Sequence, residues 1–444
     1  MSAVVEIKQF IDERKMSNYQ WLVVGLCFLV AMLDGIDAAA MGFIAPSLMS
    51  DFNISRVVFG PVLSAAIFGF AVGGIFLGPF ADRIGRRKIL ILSVVLFGAF
   101  NASCALANTP EQLMALRFLT GIGLGTAMPA AATLLSEYVP TRRRSFLLTV
   151  MFAGFALGSG CAGFIASFML ADYGWRGVLL VGGLLPLLSV PLLIWLLPES
   201  ARFLVSQSRP ADEITKVLRR VCKANLDHAT TYVAGEQRLS ASKVPVQLLF
   251  GDRYALGTIM LWVSCFMGLL ILYLVTGWLP TLIRDAGYSV QQAASIPAMF
   301  QVGSIPGALL VGLLMDRLES SRVVATAYFL GGLAIFALGA NILNASWLPI
   351  QVAIAGFFIG GAQTGLNAMA PAFYPTQARA TGVSWMNGIG RTGAIFGSLI
   401  GGVMLSLGWH VGTVFAALAM PAMIAAIAVI CSRYAARLTV RPAA

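Results

Sequence analysis

The chain alternates between long apolar stretches and shorter polar ones. Twelve apolar stretches recur along its 444 residues, and about twenty apolar residues can cross a bilayer as one helix. The predicted spans are 19–42, 57–80, 89–107, 111–137, 146–170, 177–197, 255–280, 291–314, 323–342, 348–370, 381–407 and 412–432. The pattern therefore predicts an all-α membrane protein with twelve transmembrane helices.

One polar interval is much longer than the others and divides the spans into two sets of six. It covers residues 198–254 and is predicted to be a cytoplasmic central loop. It separates an N-terminal six-helix bundle, 19–197, from a C-terminal six-helix bundle, 255–432. Residues 1–18 and 433–444 are predicted to form a cytoplasmic N-terminus and a cytoplasmic tail.

The two sets of six spans repeat each other in sequence. The hexamer GPFADR begins at Gly78, after span 2, and GLLMDR begins at Gly312, after span 8 and 234 residues later. In the same way PTRRR begins at Pro140, after span 4, and PTQAR begins at Pro375, after span 10. Such repeats predict two pseudo-symmetric bundles with a substrate site between them, near the midplane of the membrane.

Composition and charge agree with a membrane protein and fix its orientation. The chain is 58% hydrophobic and 11% charged, whereas soluble proteins carry about a quarter charged residues. With both termini inside, 25 of the 30 Lys and Arg residues are cytoplasmic, and the outer loops hold only Arg56, Arg176 and Arg284. This bias predicts that both termini are cytoplasmic. The net charge of +11 then reflects topology and anionic lipid headgroups, and no nucleic-acid partner is predicted.

Span 1 carries two acids in a stretch that is otherwise free of charge. Asp34 and Asp37 are three residues apart, so a helix places them on one face, about one turn apart. Acids inside a span are costly and usually functional, and two neighbouring carboxylates in a low dielectric cannot both ionise easily. The pair is predicted to couple transport to protons. The alternative is a structural pair that a buried Arg or the backbone satisfies.

Arg117 is a cation inside span 4. At about 1.5 Å per residue, Asp34, Asp37 and Arg117 all fall in the outer half of the membrane. Arg117 is therefore predicted to pair with one acid and to leave the other free to exchange protons. The alternative is that Arg117 is a fixed structural partner within the bundle.

Arg391 is the other buried cation, and it falls near the midplane of span 11. Its counterpart in the first repeat is Ala156, and the predicted spans of the second half contain no acid that could neutralise it. A guanidinium can bind a carboxylate through two hydrogen bonds. Arg391 is therefore predicted to bind a substrate carboxylate, the alternative being a structural Arg that the backbone satisfies.

Polar and aromatic side chains in the C-terminal spans suit an aromatic substrate that carries polar groups. Aromatic rings stack on one another, and a substrate hydroxyl needs an amide or a phenol as partner. Each of these side chains could instead serve helix packing or the membrane interface. The predicted substrate-binding residues, beside Arg391, are Tyr273, Gln363, Asn367, Trp385 and Asn387.

Charged residues also gather where the spans meet the cytoplasm. Glu137 ends span 4 and is predicted to form a gate ion pair with the Arg residues of the loop after span 2, unless it is a solvated helix end. Asp82 can accept hydrogen bonds from helix termini and from Arg residues across the interface between the halves. The predicted gating residues are Gly78, Asp82, Arg83, Gly85, Arg86, Arg87, Glu137, Arg144, Asp316, Arg317 and Arg379.

Several of these motifs resemble those of a known family. GPFADRIGRRKIL, residues 78–90, is similar to the loop motif of the major facilitator superfamily, and RFLTGIGLG, 117–125, resembles its span 4 motif. PESARFL, 198–204, resembles the motif after span 6 of its sugar and organic-acid porters. DGID, 34–37, followed by GFIAPSL, is similar to span 1 of the aromatic acid/proton symporter family. The second-half copy, 316–322, lacks the Gly-Arg-Arg run, which predicts fewer ionic contacts at that end.

The resemblance implies the major facilitator fold and a proton-coupled symporter that imports a small aromatic carboxylate, such as benzoate or a hydroxybenzoate. It implies a bacterial inner membrane location, alternating access and function as a monomer, with protons as the coupling ion. No cofactor, metal site or enzymatic activity is predicted, because no catalytic domain, nucleotide-binding motif or metal-ligand spacing is visible. The alternatives are transport of another organic anion such as a sugar acid, drug export, and a non-transporting sensor.

Overall fold

The computed structural model describes residues 4–77, 80–222, 231–233, 249–250, 254–341, 346–374 and 379–440. Helices dominate this part of the chain, and two short strands accompany them. In chain order the elements are β1 (Val4–Glu6), α1 (Ile7–Asp12), α2 (Asn18–Phe52), α3 (Arg56–Phe76), α4 (Ala81–Ile84), α5 (Arg86–Cys104), α6 (Pro110–Tyr138), α7 (Thr141–Leu196), α8 (Ala201–Ser206), α9 (Ala211–Cys222), β2 (Thr231–Val233), α10 (Ala255–Asp285), α11 (Val290–Arg317), α12 (Ser320–Asn341), α13 (Leu348–Phe373), α14 (Arg379–Ser406) and α15 (Val411–Val440).

Eleven of the described helices are long and apolar enough to cross a membrane. One of them, α7, has 56 residues, which would make about 84 Å of continuous helix. It is not continuous, because Gly174 has φ 63° and ψ −173° and breaks it. The residues before and after Gly174 are each long enough for one crossing, so the eleven helices supply twelve crossings. The predicted all-α membrane protein is confirmed.

Four left-handed residues mark one face of the molecule. Asn53, Gly174, Gly287 and Gly408 all have positive φ, and each lies at the end of an outward-running span. Gly174 and Gly408, like Asn53 and Gly287, are 234 residues apart, which is the offset of the sequence repeats. This face is the one that the charge bias predicts to be outside, and it is called the outer face; the opposite one is called the cytoplasmic face.

The repeat also governs how helices approach each other. A Cβ atom at Gly158 of α7 would lie 1.9 Å from the backbone oxygen of Met32 in α2, and one at Gly393 of α14 would lie 2.2 Å from that of Phe266 in α10. Only glycine allows backbones to come this close. Both bundles therefore use the same close contact between helices.

The two halves touch each other near the outer face. Arg56, at the start of α3, forms an ion pair with Asp285 at the end of α10, with 2.7 Å between Nη2 and Oδ2. Below this pair, the rings of Phe59 and Trp278 meet edge to face at 5.8 Å. Lower still, a Cβ at Gly42 would lie 2.1 Å from the backbone oxygen of Thr276. The outer path between the halves is therefore closed.

The segments before α2 and after α7 form a small cytoplasmic layer. β1 pairs in parallel with β2, and apolar side chains of α1, α8 and α9 pack together beneath them. Asp12 ties this layer to the start of α7, because its carboxylate accepts from the backbone N and the Oγ1 of Thr141, at 2.6 and 2.8 Å. The N-terminal residues are thus fixed to a transmembrane helix.

Candidate functional site

A central cavity lies between the two halves and contains most of the buried charge. α2, α3, α6 and α7 line it from one side, and α10 and α14 line it from the other. Its charged and aromatic lining residues are Asp34, Asp37, Phe70, Arg117, Phe155, Tyr273 and Arg391. The predicted proton-coupling residues and two of the predicted substrate-binding residues therefore share one cavity.

Asp37 and Arg117 form a complete ion pair. Arg117 Nη1 and Nη2 donate to Asp37 Oδ1 and Oδ2 at 2.8 and 3.1 Å. Neither side chain is more than 2% exposed, and Nη1 also donates to Asn101 Oδ1 at 3.2 Å. A bidentate pair of this kind gives each charge its counter-charge and adds directional hydrogen bonds. Asp37 is therefore the acid that Arg117 neutralises.

Asp34 has a different environment although it lies one turn away on α2. It is 3% exposed, and its Oδ2 has no hydrogen-bond partner among the described residues. A buried carboxylate without partners is costly in its charged form. The charges near it are Asp37, which repels a second negative charge, and Arg391 from the opposite half. Asp34 thus differs from Asp37, because its Oδ2 has no partner among the described residues, and its role in proton coupling stays a prediction.

Arg391 lies in the cavity without a carboxylate at ion-pair distance among the described residues. Its guanidinium sits over the ring of Phe70, with 3.6 Å between Cζ and the ring centroid. Phe70 belongs to α3 and Arg391 to α14, so this cation–π contact joins the two halves. A cation–π contact stabilises a cation much less than a carboxylate does. The cavity therefore offers one unneutralised guanidinium to an anion.

The helix that carries Asp34 is longer than predicted. The sequence predicts that span 1 ends at residue 42, but α2 continues to Phe52, through Pro46. A proline can stand inside a transmembrane helix because neighbouring groups satisfy the freed carbonyl. Asp34 lies at the middle of α2 and shares the central cavity with Arg391. The depths of these groups in the membrane stay predictions.

Gln363 and Asn387, two of the predicted substrate-binding residues, lie outside the cavity, and their side-chain amides contact other groups of the protein. Gln363 is buried, and its Oε1 accepts from the hydroxyl of Tyr328 at 2.8 Å. Its Nε2 points to Cys265 Sγ at 3.8 Å. Asn387 is partly exposed and donates from Nδ2 to the carbonyl of Val383 in its own helix, at 3.1 Å. Both amides therefore have internal partners in this conformation.

Asn367 and Trp385 also lie away from the cavity. Asn367 is exposed, although it is four residues from the buried Gln363, and it is not among the residues that line the cavity. Trp385 is 45% exposed and stacks on Trp262 near the cytoplasmic end of α14, with centroids 5.9 Å apart. Of the predicted C-terminal polar and aromatic contacts, only Tyr273 lines the cavity together with Arg391.

Sequence reasoning missed two aromatic residues of this region. Phe70 carries the contact with Arg391, and Tyr328 of α12 holds Gln363 in place. Neither stands out in the sequence, because an aromatic residue in an apolar span is usually packing. For Tyr328 a usable signal exists, since a phenol that is fully buried needs a hydrogen-bond partner.

The loop after α3 contacts the rest of the N-terminal half through Glu199. Gly85 has φ 112°, and Glu199 Oε1 accepts from the backbone N of Arg87 at 3.1 Å. A carboxylate at the start of α5 stabilises the unpaired N–H groups there. Arg86 lies 3.6 Å from Glu137, between Nε and Oε1. The predicted contact between Glu137 and the loop is therefore present, and Glu199 adds a second one that was not predicted.

The other predicted gating residues of the N-terminal half are either exposed to some degree or lie outside the described residues. Arg83 is exposed and Arg144 is partly exposed at the start of α7. Gly78 and the side chain of Asp82 lie outside the described residues. Their predicted role at the interface between the halves stays a prediction.

In the C-terminal half the ionic contacts centre on Glu319. Asp316 and Arg317 are exposed at the end of α11. Glu319 instead pairs with Arg322, at 3.2 Å, and with Arg433 of α15. The side chain of Arg379 lies outside the described residues. The second repeat thus lacks the Gly-Arg-Arg run, and its ionic contacts involve a different acid, Glu319, three residues after the repeated Asp316.

The Asp37–Arg117 pair predicts a stability effect. In Asp37→Asn the buried guanidinium loses its counter-charge but keeps one amide acceptor, so we expect a loss of about 1–3 kcal/mol. Thermal unfolding of the purified protein would measure it. Asp51→Asn, at the exposed outer end of the same helix, is the control and should cost less than 1 kcal/mol, about the worth of a surface pair. Equal melting temperatures for wild type and Asp37→Asn would contradict the pair's structural role.

Comparison with known proteins identifies the family. The model of the Major Facilitator Superfamily matches residues 27–348 and 285–442. The chain belongs to this superfamily. A gallate transporter of Pseudomonas putida is 51% identical over 443 residues, which cover 100% of this chain and 98% of the relative. The 4-hydroxybenzoate transporter PcaK of Pseudomonas putida is 47% identical and covers 96% of this chain and 95% of its own length. The predicted family, the aromatic acid transporters of the superfamily, is confirmed.

The fold agrees with this assignment. The inward open structure of the xylose transporter XylE from E. coli superposes with a TM-score of 0.71 and 18% sequence identity, over 92% of this chain and 95% of that one. At this level of identity the likeness concerns the fold alone. It confirms the predicted major facilitator fold.

Proposed function

We propose that this protein is a symporter that imports a small aromatic carboxylate of the benzoate and hydroxybenzoate class together with protons. The observation that carries the proposal is the unneutralised Arg391 in a cavity that also holds Asp34 and Phe70. A cavity with a free guanidinium, an aromatic ring and a protonatable acid suits an aromatic anion and a proton. The transport of gallate and of 4-hydroxybenzoate by the two relatives supports the same class.

The cavity assigns separate tasks to the parts of the substrate. The carboxylate pairs with Arg391, whose guanidinium edge is free while its face rests on Phe70. The ring lies among apolar and aromatic side chains such as Met41 and Phe155. Thr276 and Tyr273 line the same space, and hydroxyl groups there suit a hydroxylated ring better than an alkyl one.

Proton coupling follows from the unequal surroundings of the two acids. Both carboxylate oxygens of Asp37 are engaged by Arg117, so in this proposal Asp34 is the group that takes up the proton. When Asp34 is protonated, Arg391 loses the negative charge that Asp34 provides from the opposite half and is available to the substrate anion. When the substrate leaves toward the cytoplasm, Asp34 can release its proton and again balance Arg391. Proton and substrate are thereby bound in the same conformations, which is the condition for symport.

In the proposed cycle the outer face and the cytoplasmic face open and close in turn. The Arg56–Asp285 pair and the rings of Phe59 and Trp278 close the outer path in this structure. In the proposed cycle these contacts separate while the halves rock about the cavity, and the cytoplasmic ends come together. The orientation follows from the basic cytoplasmic segments, and a bacterial inner membrane with both termini inside is the proposed location.

Uptake into proteoliposomes tests the proposal. Vesicles with an imposed inward proton gradient should accumulate labelled 4-hydroxybenzoate or gallate, and an ionophore that collapses the gradient should abolish accumulation but leave exchange across the membrane. A sugar acid and a cationic drug serve as competitors. Accumulation that ignores the proton gradient would contradict symport, and transport of the competitors in place of aromatic acids would favour the other organic-anion or drug-exporter assignment. Binding without any flux would favour a sensor.

A further inference from the structure

A second cavity opens at the outer face, above the closed path between the halves. It is a bowl of about 780 Å³ that α2, α3, α10, α11 and α14 surround. Both halves line it, and it lies directly on the Arg56–Asp285 ion pair. This bowl is called the outer vestibule, and no part of it belongs to the central cavity.

The charge of the outer vestibule is positive although outer loops carry few cations. Arg56 and Arg284 both line it, and Asp285 is its single acid among the lining residues. Asp285 pairs with Arg56, while Arg284 Nη1 donates to the backbone oxygen of Tyr288 at 2.8 Å. Arg284 is exposed and keeps its other N–H groups for a partner. Two of the three cations in the predicted outer loops thus converge on one concave surface.

A buried polar atom also belongs to this surface. Thr281 lines the vestibule and is 2% exposed, and its Oγ1 has no hydrogen-bond partner among the described residues. A buried hydroxyl without a partner is unfavourable, and a ligand that hydrogen-bonds to it removes that cost. Apolar side chains such as Met49 and Leu405 lie beside it. Cations, an unsatisfied hydroxyl and apolar walls together match an aromatic carboxylate that carries ring hydroxyls.

We propose that the outer vestibule is a second binding site, which captures the aromatic carboxylate from outside before the central cavity opens. The carboxylate binds Arg284 first and then competes with Asp285 for Arg56. Because Arg56 and Asp285 belong to different halves, this exchange removes an ionic contact that closes the outer path. Binding in the vestibule therefore favours outer opening, since the anion interacts more strongly with the state in which Arg56 is released. This inference rests on the proposed transport of aromatic carboxylates.

Arg284 gives the decisive test, because it lines the vestibule but takes no part in the ion pair. In proteoliposomes of fixed orientation, Arg284→Gln should raise the KM for external 4-hydroxybenzoate about three- to tenfold, the loss expected for one partly solvated charged contact. The KM for efflux of internal 4-hydroxybenzoate should stay as in wild type. Arg176→Gln is the matched control, because Arg176 is an outer Arg that pairs with Asp51 outside the vestibule, and its external KM should not change.

Variants of Arg56 and Asp285 distinguish capture of the substrate from simple closure of the outer path. If Arg56 and Asp285 only hold the outer path shut, Arg56→Gln and Asp285→Asn change external KM in the same direction. Capture predicts opposite directions, because Asp285→Asn frees Arg56 for the anion and lowers the external KM, whereas Arg56→Gln raises it. Arg284→Lys, which keeps the charge, should lie between wild type and Arg284→Gln and covers the case in which the Gln variant inserts poorly.

The outcomes are distinct. An unchanged external KM in Arg284→Gln, or parallel shifts in Arg56→Gln and Asp285→Asn, would overturn the capture site while leaving transport itself intact. Wild-type vesicles that take up no aromatic carboxylate at all would instead refute the proposed function, and that result is visible before any variant is compared.

Discussion

Asp34→Asn is expected to abolish uphill accumulation while leaving the exchange of substrate across the membrane. An amide cannot take up and release a proton, so the variant resembles the protonated form of Asp34, in which Arg391 stays available to the anion. A proton gradient of one pH unit can drive about tenfold accumulation for each proton that is coupled. Wild-type vesicles should approach such ratios, and Asp34→Asn vesicles should stop at equal concentrations inside and outside.

The measurement is paired uptake and counterflow of labelled 4-hydroxybenzoate in the same vesicles. Counterflow in Asp34→Asn should keep at least about half of the wild-type rate, because the bound complex can still change sides. Asp51→Asn is the control for the loss of one acid from α2, since Asp51 lies at the outer end and pairs with Arg176; it should accumulate normally. Normal accumulation by Asp34→Asn, or loss of counterflow together with accumulation, would refute the assignment of the coupling proton to Asp34.

The sequence predicted that Asp34 and Asp37 matter but could not distinguish them. Their spacing and burial are equivalent in the sequence, and Arg117 lies within reach of either. The distinction comes from side-chain geometry. The guanidinium donates to both oxygens of Asp37 and also to Asn101, whereas Oδ2 of Asp34 has no hydrogen-bond partner in the part of the chain that the structure describes. Three helices determine that geometry, so neither the period nor the spacing within span 1 contains it.

The fold itself was largely predictable because hydropathy, charge bias and the internal repeat all depend on local sequence. The same repeat offset of 234 residues reappears in the left-handed residues Gly174 and Gly408. Helix ends were less predictable. α2 runs ten residues past its expected end because Pro46 does not stop a transmembrane helix when neighbours pack around it.

Substrate contacts were the least predictable part. Arg391 could be singled out because a buried cation without a local acid is unusual, and Tyr273 was placed correctly in the cavity. Gln363 instead accepts a hydrogen bond from Tyr328, and Trp385 stacks on Trp262. Polar and aromatic side chains in a span can satisfy themselves with neighbours on other helices, and residue type alone does not say which neighbour is nearer.

Arg391→Lys should weaken the binding of aromatic carboxylates about ten- to hundredfold, a loss of about 1.4–2.8 kcal/mol. Lysine keeps the positive charge and most of the length, so the balance with Asp34 is retained and the helix bundle should insert normally. Lysine lacks the planar guanidinium that donates two parallel hydrogen bonds to a carboxylate. It also stacks less well on the ring of Phe70. Equilibrium binding of 4-hydroxybenzoate to the purified protein would measure the change.

The uncharged amide of 4-hydroxybenzoate shows whether Arg391 recognises the anion or only supports the helix bundle. It should bind the wild type poorly and lose less than about threefold more in Arg391→Lys, since it never used the bidentate pairing. Arg117→Lys is the matched control, because that Arg lines the same cavity but is already paired with Asp37. It should lower thermal stability and leave the preference for acid over amide as in wild type. If Arg391→Lys instead weakened acid and amide by the same factor, Arg391 would be shaping the cavity without reading the carboxylate, and the charge that selects the substrate would have to lie elsewhere.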